Sequence, residues 1–166
     1  AGKADWGKIL EKVLPYVDYF VPSAEELCFM ADRPRYEEWM TRAAGGDVTS
    51  VISVEEDIRP LAKRVLDMGA SSLLIKCGAP GMYFTDGKKE IFERSYKPER
   101  VLSGTGAGDT SIAAFLKARM EGRSIEESLH LAAATGASCV EAYDALGGLR
   151  SFEELERRIN EGWEKL

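Results

Sequence analysis

Apolar residues recur along this chain at two spacings, and each predicts its own element. Within residues 5–14, Trp6, Ile9, Leu10, Val13 and Leu14 fall at helical intervals, with Asp5 placed to cap the start and Pro15 to end it. Tyr16–Val21 is a short apolar and aromatic run that predicts a strand, terminated by Pro22-Ser23. Ser23 is the N-cap expected for a short helix, AEELCFMA, whose first turn carries Glu25 and Glu26. Further helices are predicted over Arg35–Ala44, closed by Gly45-Gly46, and over Val54–Met68. In the second of these Ile58, Leu61, Ala62, Val65 and Leu66 form one face, and Gly69 is the stop.

The texture then changes. Ser72–Cys77 is a continuous apolar run, as expected of a strand buried on both faces. A turn at Gly78-Ala79-Pro80-Gly81 leads to a strand at Met82–Thr85, and Asp86-Gly87 turns the chain into another at Glu90–Arg94. The string SGTGAGDT at 103–110 opens a helix of small residues that runs through Met120 to Gly122. Ser124-Ile125-Glu126-Glu127 is a capping-box pattern for a helix to about Ala142. After Gly147-Gly148, Ser151-Phe152-Glu153-Glu154 repeats that pattern for a terminal helix ending near Lys165. The order implies an α/β layer architecture, parallel strands extended by an antiparallel edge, folded as one unit without internal repeats.

Composition narrows the functions on offer. The 166 residues include 22 Lys+Arg against 28 Asp+Glu, a formal charge of −6, and 45% are hydrophobic. An acidic surplus argues against a broad nucleic-acid or anionic-membrane footprint, which needs excess Lys and Arg. No apolar run approaches the roughly 20 residues of a spanning helix, and no signal-peptide pattern is present. Cys28, Cys77 and Cys139 are odd in number, widely spaced and free of metal-binding patterns, so they read as small buried residues of a reducing compartment. The expected location is cytoplasmic. The single histidine, His130, has no triad or metal partners in the sequence and reads as structural.

Chemistry concentrates in residues 103–110. Three glycines, Gly104, Gly106 and Gly108, let the backbone turn tightly and approach another group closely. The free N–H groups of the helix that follows point back at that gap, which makes it an anion site. Asp109 stands at the same place, favoured as a carboxylate by the helix dipole and a candidate base. A backbone cradle beside a fixed carboxylate suits phosphoryl transfer to a hydroxyl. The plainer alternative is a glycine-rich loop with Asp109 as an ordinary cap. A Walker loop fails because Asp109-Thr110 follows Gly108 where Lys-Ser/Thr is needed. A dinucleotide fingerprint fails because SYKPERVL, with Pro98, is no clear strand.

The string TGAGDTSIAAFL at 105–116 closely resembles the C-terminal signature of the ribokinase-like (PfkB) carbohydrate kinases. PSAEE at 22–26 resembles the family's Pro-Asn-x-x-Glu stretch after a strand. IKCGAPGMYF at 75–84 resembles its strand–glycine-turn–strand against the ATP phosphates, and SIEESLHLAAATGASCVE resembles the helix after the signature. The resemblance implies a three-layer ribokinase-like sheet with helices on both faces, of which this chain is the nucleotide-binding part. It implies Asp109 as general base for a sugar hydroxyl and Gly106, Ala107 and Gly108 as the anion hole. Gly78 and Gly81 would flank the nucleotide, Lys76 would meet an ATP phosphate, and Glu26 would act on the magnesium side through water. The bland reading of Lys76 is a strand lysine with its amine in solvent. That of Glu26 is a first-turn acid stabilising its helix by about 0.3–1 kcal/mol.

Two departures limit the implication. The family's Asp-Thr before the signature is here Ser103-Gly104, so activation by a monovalent cation such as potassium does not follow. Ser23 replaces the family's Asn on the nucleotide side, with shorter reach toward the magnesium shell. Family members also carry an N-terminal half with a two-glycine signature, most sugar contacts and a β-sheet lid, none of which matches this sequence. The chain opens at Ala1 and not Met. It is therefore expected to be the C-terminal portion, residues 1–166, of an ATP- and magnesium-dependent kinase acting on a sugar or sugar acid. The substrate expected is a hexose-type acid or a ketose, and the isolated chain is expected to be inactive. The alternative is a non-catalytic nucleotide-binding or interaction module. Loss of the partner half predicts exposed apolar surface and self-association, a homodimer included.

Overall fold

A computed structural model of the chain describes residues 4–166, so Ala1 lies outside the described residues. In chain order the elements are α1 (Trp6–Val13), α2 (Ala24–Ala31), α3 (Arg33–Ala43), α4 (Arg59–Asp67), β1 (Leu73–Lys76), β2 (Gly81–Thr85), β3 (Glu90–Arg94), α5 (Ala107–Met120), α6 (Ile125–Cys139) and α7 (Phe152–Asn160). The strands form one sheet in the order β1-β2-β3. Connections as short as 77–80 and 86–89 make both pairings antiparallel, since a parallel crossover needs a dozen residues or more. Where one unit was expected, the residues divide into two compact ones. The first comprises residues up to Gly78 with Tyr83–Phe92, the second Ala79–Met82 with Glu93–Leu166. Among the described residues, no helix is long and apolar enough to cross a membrane.

The first unit is built around Leu27, Cys28, Trp39, Ile58, Val65, Leu73, Ile75 and Tyr83, all buried in one apolar cluster. Asp5 caps α1 as expected, its carboxylate accepting the Lys8 N–H at 3.3 Å. The strand predicted at Tyr16–Val21 is not formed as a strand. Leu14–Tyr16 is a 3-10 turn, and only Phe20 and Ser23 pair with β1, in parallel. Phe20 N–H donates to Ser72 O, Leu74 N–H to Phe20 O and Lys76 N–H to Pro22 O, at 2.9–3.0 Å. Pro22 has no N–H to give back, so the ladder is interrupted.

The helix predicted from Val54 also differs. Val54–Ile58 is a π-helical turn, and α4 starts only at Arg59. Pro60 cannot donate to the Glu56 carbonyl, and Arg35 Nη1 does so instead at 3.0 Å. Asp57 anchors this turn. Its buried carboxylate accepts Trp39 Nε1–H at 3.0 Å and Ser53 N–H at 2.8 Å, with Arg35 and Arg42 each 3.7 Å away. α3 begins at Arg33, two residues before the predicted start, because Asp32 caps it by accepting the Arg35 N–H.

In the second unit α5 lies against α6, which is buried on nearly every side: Leu129, Leu131, Ala132–Ala134, Ala137 and Cys139 are all inaccessible. Ser124 and Glu127 form the predicted capping box. α6 stops at Cys139 and not near Ala142, and the Val140 carbonyl instead accepts the amides of Leu102 and Ser103. The second predicted box is only half made. Ser151 accepts the Glu154 N–H, while the Glu154 carboxylate turns to Arg150 at 3.4 Å. α7 ends at Asn160, before Gly162 at φ +92°, and the last residues run extended. There Lys97 N–H donates to Glu164 O and Leu166 N–H to Ser95 O. All three cysteines are buried and free, and burial pushes Cys28 and Cys77 up to about 12. His130 stands half-exposed on α6, its Nε2 3.3 Å from Glu93.

Asp57→Ala leaves the Trp39 N–H and the Ser53 amide without their acceptor in the first unit's core. It is expected to lower unfolding stability by about 3 kcal/mol in urea titration. A change below about 0.5 kcal/mol would contradict the role given to this carboxylate.

Candidate functional site

The glycine-rich string forms a tight entry into α5. Gly106 is the N-cap and adopts φ +82°, a conformation open to glycine and strained for other residues. Space enforces the same choice, since a Cβ there would lie 2.5 Å from the Ala145 Cβ and 2.9 Å from its Cα. The loop is held from several sides. Thr105 N–H donates to Ser103 Oγ at 3.1 Å, and Cys139 Sγ lies 3.7 Å from Thr105 O and 3.4 Å from Ala145 O. Thr110 N–H closes the first helical bond, to Gly106 O at 2.9 Å. The amides of Gly108 and Asp109 therefore precede the intrahelical ladder and have no acceptor within the helix. The Ala107 amide makes a long bond to Gly104 O at 3.3 Å. Asp109 is exposed in this first turn, so carboxylate and amides occupy one helix end.

The remaining predicted residues, apart from Gly81, gather in the first unit. Ser23 and Glu26 form a complete capping box at the start of α2: Ser23 N–H donates to Glu26 Oε2 at 2.8 Å and Glu26 N–H to Ser23 Oγ at 3.1 Å. Ser23 was expected as a cap and Glu26 as a first-turn acid; their S-x-x-E spacing makes them a reciprocal box, which assigns both side chains a local structural task. The parallel pairing of Ser23 with Lys76 brings this helix start beside the end of β1. The Ser23 backbone N–H above all, then its hydroxyl and the Lys76 ammonium, hold the Glu26 carboxyl below its ordinary value. Gly78 turns at φ +70° over Thr49, whose methyl and hydroxyl would both stand 2.8 Å from a Cβ. Thr49 belongs to a turn tied by Asp47, which accepts its N–H and hydroxyl at 2.8 Å. Sequence reading gave no role to Thr49 or Ala145, because only tertiary contact brings them to the glycines.

Gly81, in the second unit, has a structural cause of its own. It lies at φ +136°, and a Cβ would come within 2.1 Å of the Glu93 carbonyl oxygen. Among the described residues no group of three or more His, Cys, Asp or Glu side chains could hold a metal ion.

The second unit thus offers a helix start whose first amides lack helical acceptors beside an exposed aspartate, and the first unit a strand end beside a capped helix, both within an α/β fold. Residues 4–150 match the model of the pfkB family carbohydrate kinase, and the chain belongs to that family. A sugar kinase of Archaeoglobus fulgidus, itself uncharacterized, is 36% identical over 96 residues, covering 57% of this chain and 37% of that protein. Ribokinase of Arabidopsis thaliana is 37% identical over 92 residues, covering 55% and 24%. The solved structure of Arabidopsis thaliana ribokinase complexed with ribose and ATP superposes with a TM-score of 0.72 at 26% identity, over 89% of this chain and 42% of that one. The fold is thus ribokinase-like, and the chain spans less than half the length of each of these proteins.

The capping box gives a pH-dependent test. Because the Glu26 carboxyl is depressed in the folded state, its contribution is present above the unfolded value of 4.5 and lost as pH falls through the folded one. The stability advantage of wild type over Glu26→Gln in urea should be constant near neutrality and shrink on acidification below pH 4.5. An advantage that grows on acidification would contradict the arrangement.

Proposed function

We propose that the protein to which this chain belongs transfers the γ-phosphoryl group of ATP to a hydroxyl of a sugar or sugar acid. One observation carries the reading: Gly106, at positive φ, starts α5 so that the Gly108 and Asp109 amides have no helical acceptor in the turn that carries the exposed Asp109 carboxylate. The Asp109 carboxylate accepts the proton of the attacking hydroxyl as its oxygen bonds to phosphorus. The bond from phosphorus to the bridging oxygen breaks, and ADP leaves. The amides of Gly106, Ala107 and Gly108 donate to the oxygens on which negative charge gathers, with Ala107 exchanging its long bond to Gly104. Lys76, at the end of β1, serves as a point charge for a phosphate, and Gly78 and Gly81 keep the backbone low where the nucleotide passes.

Magnesium fits these residues in one manner. A lone ionised Glu26, with one oxygen already on the Ser23 N–H, suits an ion carried chiefly by phosphates and water and not a protein cage. When bound, the ion neutralises phosphate charge, and Glu26 would hold one of its waters. Family membership, together with the ribose and ATP in the Arabidopsis relative, supports the reading.

In the full-length protein, Asp109→Asn should lower kcat at least about 100-fold while Mg·ATP still binds in calorimetry. A loss below about tenfold would remove Asp109 from the role of base.

The isolated chain exposes Tyr16 in its first unit and Val101, Met120, Tyr143 and Leu146 in its second, each more than two-thirds accessible. This supports self-association of the chain by itself. Sedimentation velocity should show a weight-average mass that rises with concentration; a clean monomer throughout would contradict it.

A further inference from the structure

The two residues after Asp109 have no task in the reaction as drawn, yet both are buried, Thr110 at 9% and Ser111 at 6% exposure. Their hydroxyls fold back onto the loop. Thr110 Oγ1 donates to Gly106 O at 2.9 Å and also lies 3.2 Å from Ala107 O, while Ser111 Oγ donates to Ala107 O at 2.7 Å. A peptide unit is a rigid plane, so fixing its carbonyl fixes its N–H. The Gly106 carbonyl shares its plane with the Ala107 N–H, and the Ala107 carbonyl with the Gly108 N–H. The hydroxyls thus grip the far ends of two amides assigned to the anion hole. A donor on the carbonyl also polarises the unit and strengthens the N–H opposite.

Serine and threonine commonly back-bond within helices, and Ser128 and Thr135 do so in α6. Two features set the α5 pair apart. The amides behind these carbonyls lie ahead of the helical ladder: Gly108 N–H has no acceptor within the helix, and Ala107 N–H has only its long bond to Gly104 O. A second helix is also shaped around the grip: at Gly136 of α6 a Cβ would lie 2.4 Å from Ser111 Oγ and 3.4 Å from Ala107 O. Glycine is unfavourable inside a helix, and here it leaves the hydroxyl its seat.

We infer that Thr110 and Ser111 are positioning residues that aim the Ala107 and Gly108 amides at the transferring phosphoryl group. This rests on the kinase reading above. The test uses the full-length protein with Thr110→Val, Ser111→Ala and the hydroxyl-retaining Thr110→Ser. Calorimetry compares Mg·ADP alone with Mg·ADP plus aluminium fluoride, a planar mimic of the group in transfer, and steady-state kinetics gives kcat and the sugar KM. Thr110→Val and Ser111→Ala should each weaken the aluminium fluoride complex and lower kcat by about tenfold, leaving Mg·ADP affinity and sugar KM unchanged. Thr110→Ser should behave as wild type. Wild-type analogue binding in Thr110→Val and Ser111→Ala, with Asp109→Asn inactive, overturns the inference and leaves the kinase reading standing. Equal losses in Thr110→Ser and Thr110→Val also overturn it, because the hydroxyl would then be irrelevant. An active Asp109→Asn removes the kinase reading and the inference together.

Discussion

The contact between Gly106 and Ala145 is the constraint on which the start of α5, and the site proposed there, depends. With no Cβ at 106, the chain can pass within van der Waals reach of the 143–149 loop and enter α5 at positive φ. That entry decides where the helix begins, and so which amides are left without helical partners. Any side chain at 106 would meet Ala145 and require a backbone conformation that L residues avoid. Displacing the turn would also detach the carbonyls on which Thr110 and Ser111 depend. The small residues along this end of the chain, Gly106, Gly136 and Gly148, follow from the same need for close approach. A Cβ on Gly148 would stand 2.3 Å from the Ser138 carbonyl oxygen.

The first unit solves a related problem by other means. Its candidate residues are held by satisfied caps and buried pairs and not by glycine packing alone. Ser23 and Glu26 satisfy each other's amides, and Asp57 gathers Trp39, Ser53 and two guanidiniums. Arg35 fills the acceptor that Pro60 leaves open. A carboxylate used as a cap is also held ionised, so the local structural task of Glu26 and a task beside phosphates are compatible.

Much of this was legible in the sequence because it depends on local rules. The capping residues Asp5, Ser23, Ser124 and Ser151, the β2–β3 hairpin and the α5 start are all set by neighbours a few positions apart. What escaped depended on competition or distance. Tyr16–Val21 has the composition of a strand, but Pro22 interrupts its ladder. Val54–Met68 has the period of one helix and is helical from Val54 to Asp67, but its first turn is π-helical, where Pro60 has no N–H for the Glu56 carbonyl. Glu154 had two equally local partners and took Arg150 over Ser151. The seats of Gly78 on Thr49 and Gly106 on Ala145 join residues far apart in sequence, and no periodicity announces them.

The central claim is that this chain carries the nucleotide side of a phosphoryl-transfer site directed at a sugar hydroxyl. Phosphorus NMR on the full-length protein with Mg·ATP and a set of sugars and sugar acids tests it most directly. The account predicts, for at least one acceptor, equal amounts of ADP and a sugar phosphate ester with no inorganic phosphate. ATP left intact with every acceptor, or ADP accompanied only by inorganic phosphate, would contradict it.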